Sequence, residues 1–410
     1  MSATEEHLRL WIDDRMVDEV EVVALPEDVA LARTPDGGPL LPTLWATPGA
    51  PNPEAASPSI DPSSVLFGDQ QIVPLSLTID PATLPTLDVE GGEGVPAALA
   101  FDGVTLAVWV RLTGSGSFEP LAGKPSWSID VDRVVGGQRL RGLERIALDR
   151  KDPTAVRESL AYPVFAAVGA PAPRVGWVQL TVNGEDYGLY VHSEAEDDTF
   201  LARWFADPSG MLLEGQDDAD LDAPDALELD DGERDDAFLA ALAALLAAPP
   251  ADPAQAEAAL EALVDLDAFL AYAAAEAITM HADGYQRPER WRAYLDPADG
   301  RLRWLPHGTE ATFTDPQPYD HGDGAVFRLC LDLPGCRARY LAALAAACDD
   351  ADALDLVATF DARVAWLAPA LAADPRRDVA PAELAQEQAL TRTWLVNRVS
   401  ALRAVLASLR

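Results

Sequence analysis

The chain has 410 residues, 49% of them hydrophobic, and sets 30 basic side chains against 68 acidic ones for a formal net charge of −38. That charge repels nucleic acid and anionic lipid at long range, and the hydrophobic content excludes a disordered polyelectrolyte. No apolar run reaches the ~18 residues a membrane span needs, so the expectation is a soluble, globular chain of one large two-lobed unit or two to three domains.

Met1 to Arg15 are polar and charged, with neither the basic start nor the apolar stretch of a secretory signal. Short alternating segments run from Leu8 to Val23, and the Pro-rich stretch from Pro42 to Pro62 reads as an exposed linker, placing the start of the main domain near Ser64. Ala98 to Leu112 and Ser126 to Val135 alternate apolar and polar residues like half-buried strands, joined through Gly114, Gly116 and Gly123. Asp152-Pro153 starts a helix over Thr154 to Val168, interrupted by Pro163, and two strands, Gly176 to Val182 and Tyr187 to His192, flank an Asn183-Gly184 turn.

From Glu214 to Asp236 a dozen acidic residues accompany one arginine, which reads as a solvated loop. An EF-hand is excluded there: with Asp218, Asp220 and Asp222 as first ligands, Ala223 falls where the turn needs glycine and Leu229 where it needs a bidentate glutamate. Helical patterns follow over Ala237 to Ala248, Pro253 to Val264 and Leu266 to Met280, then short strands at Trp291 to Tyr294 and Leu302 to Leu305, then three helices from Arg337 onward. The expected organisation is an N-terminal strand-like segment and linker (1–63) and a main domain (64–410), made of a β-rich part to about 213, an acidic loop (214–236) and a helical part (237–410).

Of the 30 basic residues only Lys124 and Lys151 are lysines. A compact, rotatable ammonium grips phosphate as a point charge, which arginine's planar fork does not reproduce, so both are candidate phosphate-binding residues. Cys330 and Cys336 bracket a Pro-Gly turn and permit one disulfide without requiring it, leaving Cys348 as a spare thiol.

Read in order, several blocks resemble the CotH family of atypical protein kinases: VRLTGSGSF (110–118), GKPS (123–126), LERIALDRKDP (143–153), RESLAY (157–162), GAPAPR (169–174), VNGEDYGLYVHSE (182–194), DLDAFL (265–270), HADGY (281–285) and PHGTEATF (306–313). The resemblance is collinear from about Leu66 to the C-terminus, and its most specific part is the NG-x-x-Y-G-L-Y-x-x-x-E hairpin. It implies an α+β, atypical protein-kinase-like two-lobed fold that transfers the ATP γ-phosphate to protein Ser/Thr hydroxyls with Mg²⁺ or Mn²⁺. On that reading Asp283 is the catalytic carboxylate and a metal ligand, Glu310 a metal ligand, Lys124 the phosphate-holding lysine with Glu194 as its partner, and Gly114, Gly116 and Lys151 further nucleotide contacts.

Three positions depart from the family pattern: Glu310 and Gly308 where members carry aspartates, Glu289-Arg290 where many carry an asparagine, and Asp149-Arg150-Lys151 where relatives carry asparagines. They imply weakened metal binding and make a pseudokinase or a structural coat or surface scaffold the main alternative. A second alternative is a metal-dependent hydrolase using His281, Asp283, His307 and Glu310, with His321 nearby, although no H-E-x-x-H spacing exists. The expected partner is a protein substrate or a coat or surface protein, and the resemblance implies an extracytoplasmic or coat-associated location.

Overall fold

The computed structural model describes residues 61–114, 117–314 and 319–409, plus the backbone of four upstream strands, β1 (Glu6–Ile12), β2 (Arg15–Val22), β3 (Ala30–Arg33) and β4 (Leu40–Thr43). β1 pairs with β2 and β3 with β4, both antiparallel. Most of the Pro-rich stretch, Gly116 and residues 315–318 lie outside the described residues.

Seven strands close into a barrel in the order β10-β11-β9-β8-β7-β6-β5. They are β5 (Ile72–Ile79), β6 (Val95–Phe101), β7 (Val104–Thr113), β8 (Ser126–Asp130), β9 (Arg145–Asp149), β10 (Val175–Val182) and β11 (Glu185–Glu194). A four-residue helix, α1 (Leu84–Leu87), lies between β5 and β6. Every neighbouring pair is antiparallel except β10 with β5, which closes the ring in parallel. Alternation decides what fills it: Leu106, Val108, Val110 and Leu112 of β7 meet Val73, Leu75, Leu77 and Ile79 of β5 in one apolar cluster, so the barrel interior is packed with side chains.

The alternating run expected over Ala98 to Leu112 breaks into two strands at Asp102-Gly103, where φ is +46° and +79°. An Asp-Gly pair takes these positive angles readily, so the run folds back as a hairpin. The Asn183-Gly184 turn falls where expected, and Asn183 ties it to the barrel by accepting from the Ile79 N–H at 2.8 Å.

The remaining elements surround a second, four-stranded sheet in the order β13-β12-β14-β15, formed by β12 (Met211–Gln216), β13 (Glu228–Asp231), β14 (Arg290–Asp296) and β15 (Arg301–Leu305). Two of these strands occupy parts of the acidic stretch expected to be a loop. Leu221 and Leu227 bury there, and Asp220 is itself buried, accepting from the Tyr285 hydroxyl at 2.9 Å and the Ala325 N–H at 2.6 Å. The helices are α2 (Arg157–Ala167), α3 (Asp198–Trp204), α4 (Asp236–Ala247), α5 (Pro253–Glu261), α6 (Leu266–Thr279), α7 (Ala325–Asp332), α8 (Pro334–Ala353), α9 (Leu356–Ala373) and α10 (Pro381–Ser408). The architecture is therefore α+β, with a closed barrel set against a helix-rich body.

α6 is buried almost all round, and Phe269 on it meets Trp304 and Tyr285 at ring separations of 4.5 and 5.8 Å. The three helices expected from Arg337 onward are α8, α9 and α10, with α8 starting slightly earlier at Pro334; α7, not expected from the sequence, ends just before it, and a Cys330–Cys336 disulfide joins the two. Cys348 is buried and free. α9 is long and apolar enough by length and composition to cross a membrane. It carries Asp361 and Arg363 and packs against the barrel, with Trp366 meeting Trp177 edge-on at 5.1 Å.

Candidate functional site: a charged cleft between barrel and sheet

A cleft of about 450 Å³ separates the barrel from the four-stranded sheet and draws its walls from both. β7 enters it with Arg111 and is followed by Gly114, whose φ of +122° and close approach to Ser117 favour glycine. β9 delivers Asp149 and, just beyond its end, Lys151. Asp152 then starts α2 from four residues upstream of the usual cap, its carboxylate accepting from the backbone N–H groups of Thr154, Val156 and Arg157 at 2.8 to 2.9 Å. The first turn of α2 thereby carries Glu158 into the cleft.

Lys151 Nζ donates to Glu310 Oε1 at 2.9 Å and lies 3.8 Å from Asp149 Oδ2. Arg290 reaches within 3.7 Å of the same Glu310 oxygen. Burial pushes the Glu310 carboxyl up, but Lys151 and then Arg290 outweigh it and leave it below its ordinary value. Asp149 is pushed up to about 6, first by burial and then by Glu310. Glu158 goes well above the usual carboxylate range through burial, Asp149 and Glu310, despite a 2.8 Å bond from Ser193 to Oε1. Its other oxygen, Oε2, is buried with no partner.

A second network lines the sheet side. The buried Arg292 guanidinium sits 3.1 Å from Glu196, 2.8 Å from Glu214 and 3.0 Å from Asp230, and the three acids hold its pKa above the usual value against burial. His307 Nδ1 lies 3.0 Å from the other Glu196 oxygen.

Of the residues singled out in the sequence, Lys151, Glu194, Gly114 and Glu310 line this cleft; Lys124 and Asp283 do not, and Gly116 lies outside the described residues. Lys124 is buried and paired with Asp374 from the segment after α9, with its ammonium 5.0 Å from the Tyr190 ring centre. Glu194 pairs with Arg174, at 2.6 Å, and with Arg203 rather than with a lysine. Asp283 sits on the loop after α6: its carbonyl accepts from the Arg290 N–H at 3.0 Å, and His281 on the same loop reaches the Gly308 carbonyl at 3.2 Å. Glu276 holds this loop from beneath, its two oxygens accepting from the N–H groups of Tyr285 at 2.6 Å and Gln286 at 3.1 Å. Among the described residues no three His, Cys, Asp or Glu side chains converge as a metal site, which leaves the hydrolase alternative without support.

Sequence reasoning did not single out Glu158 or the Arg292 network. Glu158 had a signal, an acid in the first turn of a helix entered from Asp-Pro. Arg292 had a fainter one, a charge amid the apolar residues of a short strand.

Fold and site together define an α+β protein whose barrel and helix-rich body enclose a cleft of mixed carboxylates and cations. The chain belongs to the CotH kinase protein family, which matches residues 110–401. It is 24% identical over 265 residues to the inner spore coat protein H of Bacillus subtilis, covering 60% of this chain and 70% of that protein. It is 34% identical over 71 residues to an inner spore coat protein H-like protein of the same organism, covering 17% of this chain and 22% of the relative.

Proposed function

We propose that the cleft binds ATP and transfers its γ-phosphoryl group to a Ser or Thr hydroxyl of a protein, in the manner implied by the kinase-like family resemblance. The observation that carries this is Lys151, one of only two lysines in the chain, held in the cleft among Asp149, Glu158 and Glu310. Phosphoryl transfer needs phosphates held, charge neutralised and a hydroxyl oriented. Lys151 and Arg290 offer cations to the phosphates and the Gly114 turn offers close backbone approach; Asp283 lies outside the cleft lining, its carbonyl holding the Arg290 N–H, and would have to orient the hydroxyl from the cleft's edge.

A divalent cation suits the acidic wall by donor type only, since among the described residues these carboxylates do not converge as a ready metal site. Asp149, Glu158 and Glu310 present only oxygen donors, the preference of Mg²⁺ and Mn²⁺, and the partnerless Glu158 oxygen and raised Asp149 and Glu158 pKa values mark charge that a cation would relieve. Such an ion would supply neutralisation of phosphate charge. In the absence of a ready cage, Lys151 holds Glu310.

That same pair favours a second reading, a scaffold that holds nucleotide without turnover. The relatives' names support a place in a spore-coat layer for either version, with the acidic surface facing a protein partner.

Thermal midpoints with ATP, with Mg²⁺ or Mn²⁺, and with both, beside transfer of labelled phosphate, test the proposal, since a ligand bound only to the folded state raises the midpoint. A shift needing both, with label appearing on protein, is expected. A shift with ATP alone and no label transfers the conclusion to the scaffold, and no shift under any condition removes nucleotide from both readings.

A further inference from the structure

Most described arginines are ion-paired: Arg303 and Arg339 each engage three carboxylates. Arg111, Arg133 and Arg145 differ. Among the described residues none of their side chains makes an ion pair or a hydrogen bond, in a chain whose net charge is −38. All three line one cavity of about 520 Å³ on the barrel wall, and Arg111 and Arg145 also line the central cleft, so the two spaces adjoin.

The strand register brings them together. Arg111 of β7 lies opposite Ser128 of β8, and Asp130, two residues on, lies opposite Arg145 of β9. Arg133 follows β8, and its guanidinium rests over the Trp109 ring at 4.6 Å. That ring is itself fixed, its Nε1 donating to the Glu93 carbonyl at 2.8 Å. Stacking on a held aromatic pre-orders a guanidinium and leaves its in-plane donors free.

The nearby acids do not fill the role of counter-ion. Asp130 accepts from the Arg133 backbone N–H at 3.1 Å. Asp197, which senses Arg145 electrostatically, caps α3 through the Thr199 N–H at 3.1 Å. Glu93 lines the same cavity without pairing with any of the three arginines.

We propose that Arg111, Arg133 and Arg145 form a binding site for a phosphorylated side chain of a protein partner, at the outer end of the cleft. Several unpaired guanidinium forks suit a dianionic phosphoryl group, whose oxygens accept paired N–H bonds. A nucleotide is disfavoured because Arg133 already covers the face of Trp109 on which a base would stack. Trp109 also lies five residues from the Gly114 turn along β7, about 17 Å at strand spacing, beyond the phosphates of a nucleotide held at that turn. A polypeptide lying along the barrel would place a phosphorylated residue here and a neighbouring residue in the cleft, so the partner class is a protein phosphorylated beforehand. Binding at this site requires no turnover in the cleft, so its test stands apart from that of phosphoryl transfer.

The full chain is titrated with a fluorescent Gly/Ala peptide carrying one phosphoserine, and with the same peptide carrying serine, by anisotropy at low salt. The phosphopeptide should bind at least tenfold more tightly, Arg133→Gln should reduce it to the level of the serine peptide, and inorganic phosphate at millimolar concentration should compete. Saturating ATP with Mg²⁺ should leave the titration unchanged. Arg133→Lys, which keeps the charge and loses the fork, should retain part of the preference, and a melting curve for each variant checks that it folds. Equal binding of the two peptides, a preference that survives Arg133→Gln in a folded variant, or displacement by ATP would overturn the proposal, the last by giving the arginines to the nucleotide.

Discussion

Lys151 and Glu310, 159 residues apart in sequence, meet across the cleft at 2.9 Å and join the end of β9 to the turn that follows β15. The contact is a charge clamp on an otherwise repulsive site, since Asp149 and Glu158 face the same space.

Removing the cation by Lys151→Ala leaves Glu310 buried beside two further acids. The expected cost is about 1–3 kcal/mol in denaturant unfolding, together with loss of any ATP-dependent rise in thermal midpoint. Lys151→Arg should recover the stability better than the nucleotide response, because a planar fork does not replace a point charge on phosphate. An ATP response equal to wild type in Lys151→Ala would remove this lysine from the nucleotide site.

Lys124 has a different future in the same assays. It is 7% exposed and paired with an Asp374 side chain that is fully buried. Asp374 also accepts from the Leu189 N–H at 3.1 Å and the Arg376 N–H at 2.9 Å. Lys124→Met should therefore destabilise by roughly 3 kcal/mol, the cost of stranding a buried charge, with no separate effect on nucleotide binding. Gly188→Ala should be comparably damaging: its φ is +88°, and a Cβ there would overlap the Asp374 carboxylate. A stable Lys124→Met protein with lost nucleotide response would reverse this assignment.

Much of the barrel was legible because its strands bury one face: the alternation in β7 and the Asn183-Gly184 turn are local signals with local causes. The charged residues were less legible, since a lysine in a loop looks the same whether it meets a phosphate or a distant aspartate. Lys124 finds its partner 250 residues away and Lys151 finds Glu310 159 residues away, and no periodicity carries that information. The acidic stretch misled for a related reason. Its composition matches a solvated loop, yet Asp220 is an internal acceptor and Glu214 and Asp230 neutralise Arg292.

Arg292 anchors the sheet side of the cleft through three carboxylates. Arg292→Leu removes the only cation within ion-pair reach of all three among the described residues, and should cost roughly 3–5 kcal/mol at neutral pH. Lowering the pH toward the carboxylate range should recover part of that loss, because protonated acids no longer repel. Urea unfolding of both proteins at pH 7 and pH 4.5 measures this, and a constant gap between them would show that packing rather than charge sets the cost.

Glu276 sets a pH dependence of opposite sign. Burial pushes its carboxyl up to about 7 from an ordinary 4.5, although the Tyr272 hydroxyl and the Tyr285 and Gln286 N–H groups pull the other way. In the unfolded chain the group loses its proton near 4.5, so between about 4.5 and 7 the folded state binds more protons and stability falls as pH rises. At about 1.4 kcal/mol per pH unit the fall attributable to Glu276 is roughly 3 kcal/mol across that window. Glu276→Gln removes the titration, but its amide faces a donor, the Gln286 N–H, where the acid offers an acceptor. The variant should therefore be less stable than wild type at pH 5, and the gap should close or reverse by pH 8. Buried His281 and the Tyr272, Tyr285 and Tyr340 rings around Glu276 remain in both proteins, so the difference between the two curves isolates this one carboxyl. Curves that stay parallel from pH 5 to pH 8 would show that Glu276 is ionised throughout and that the loop bearing Asp283 rests on a carboxylate.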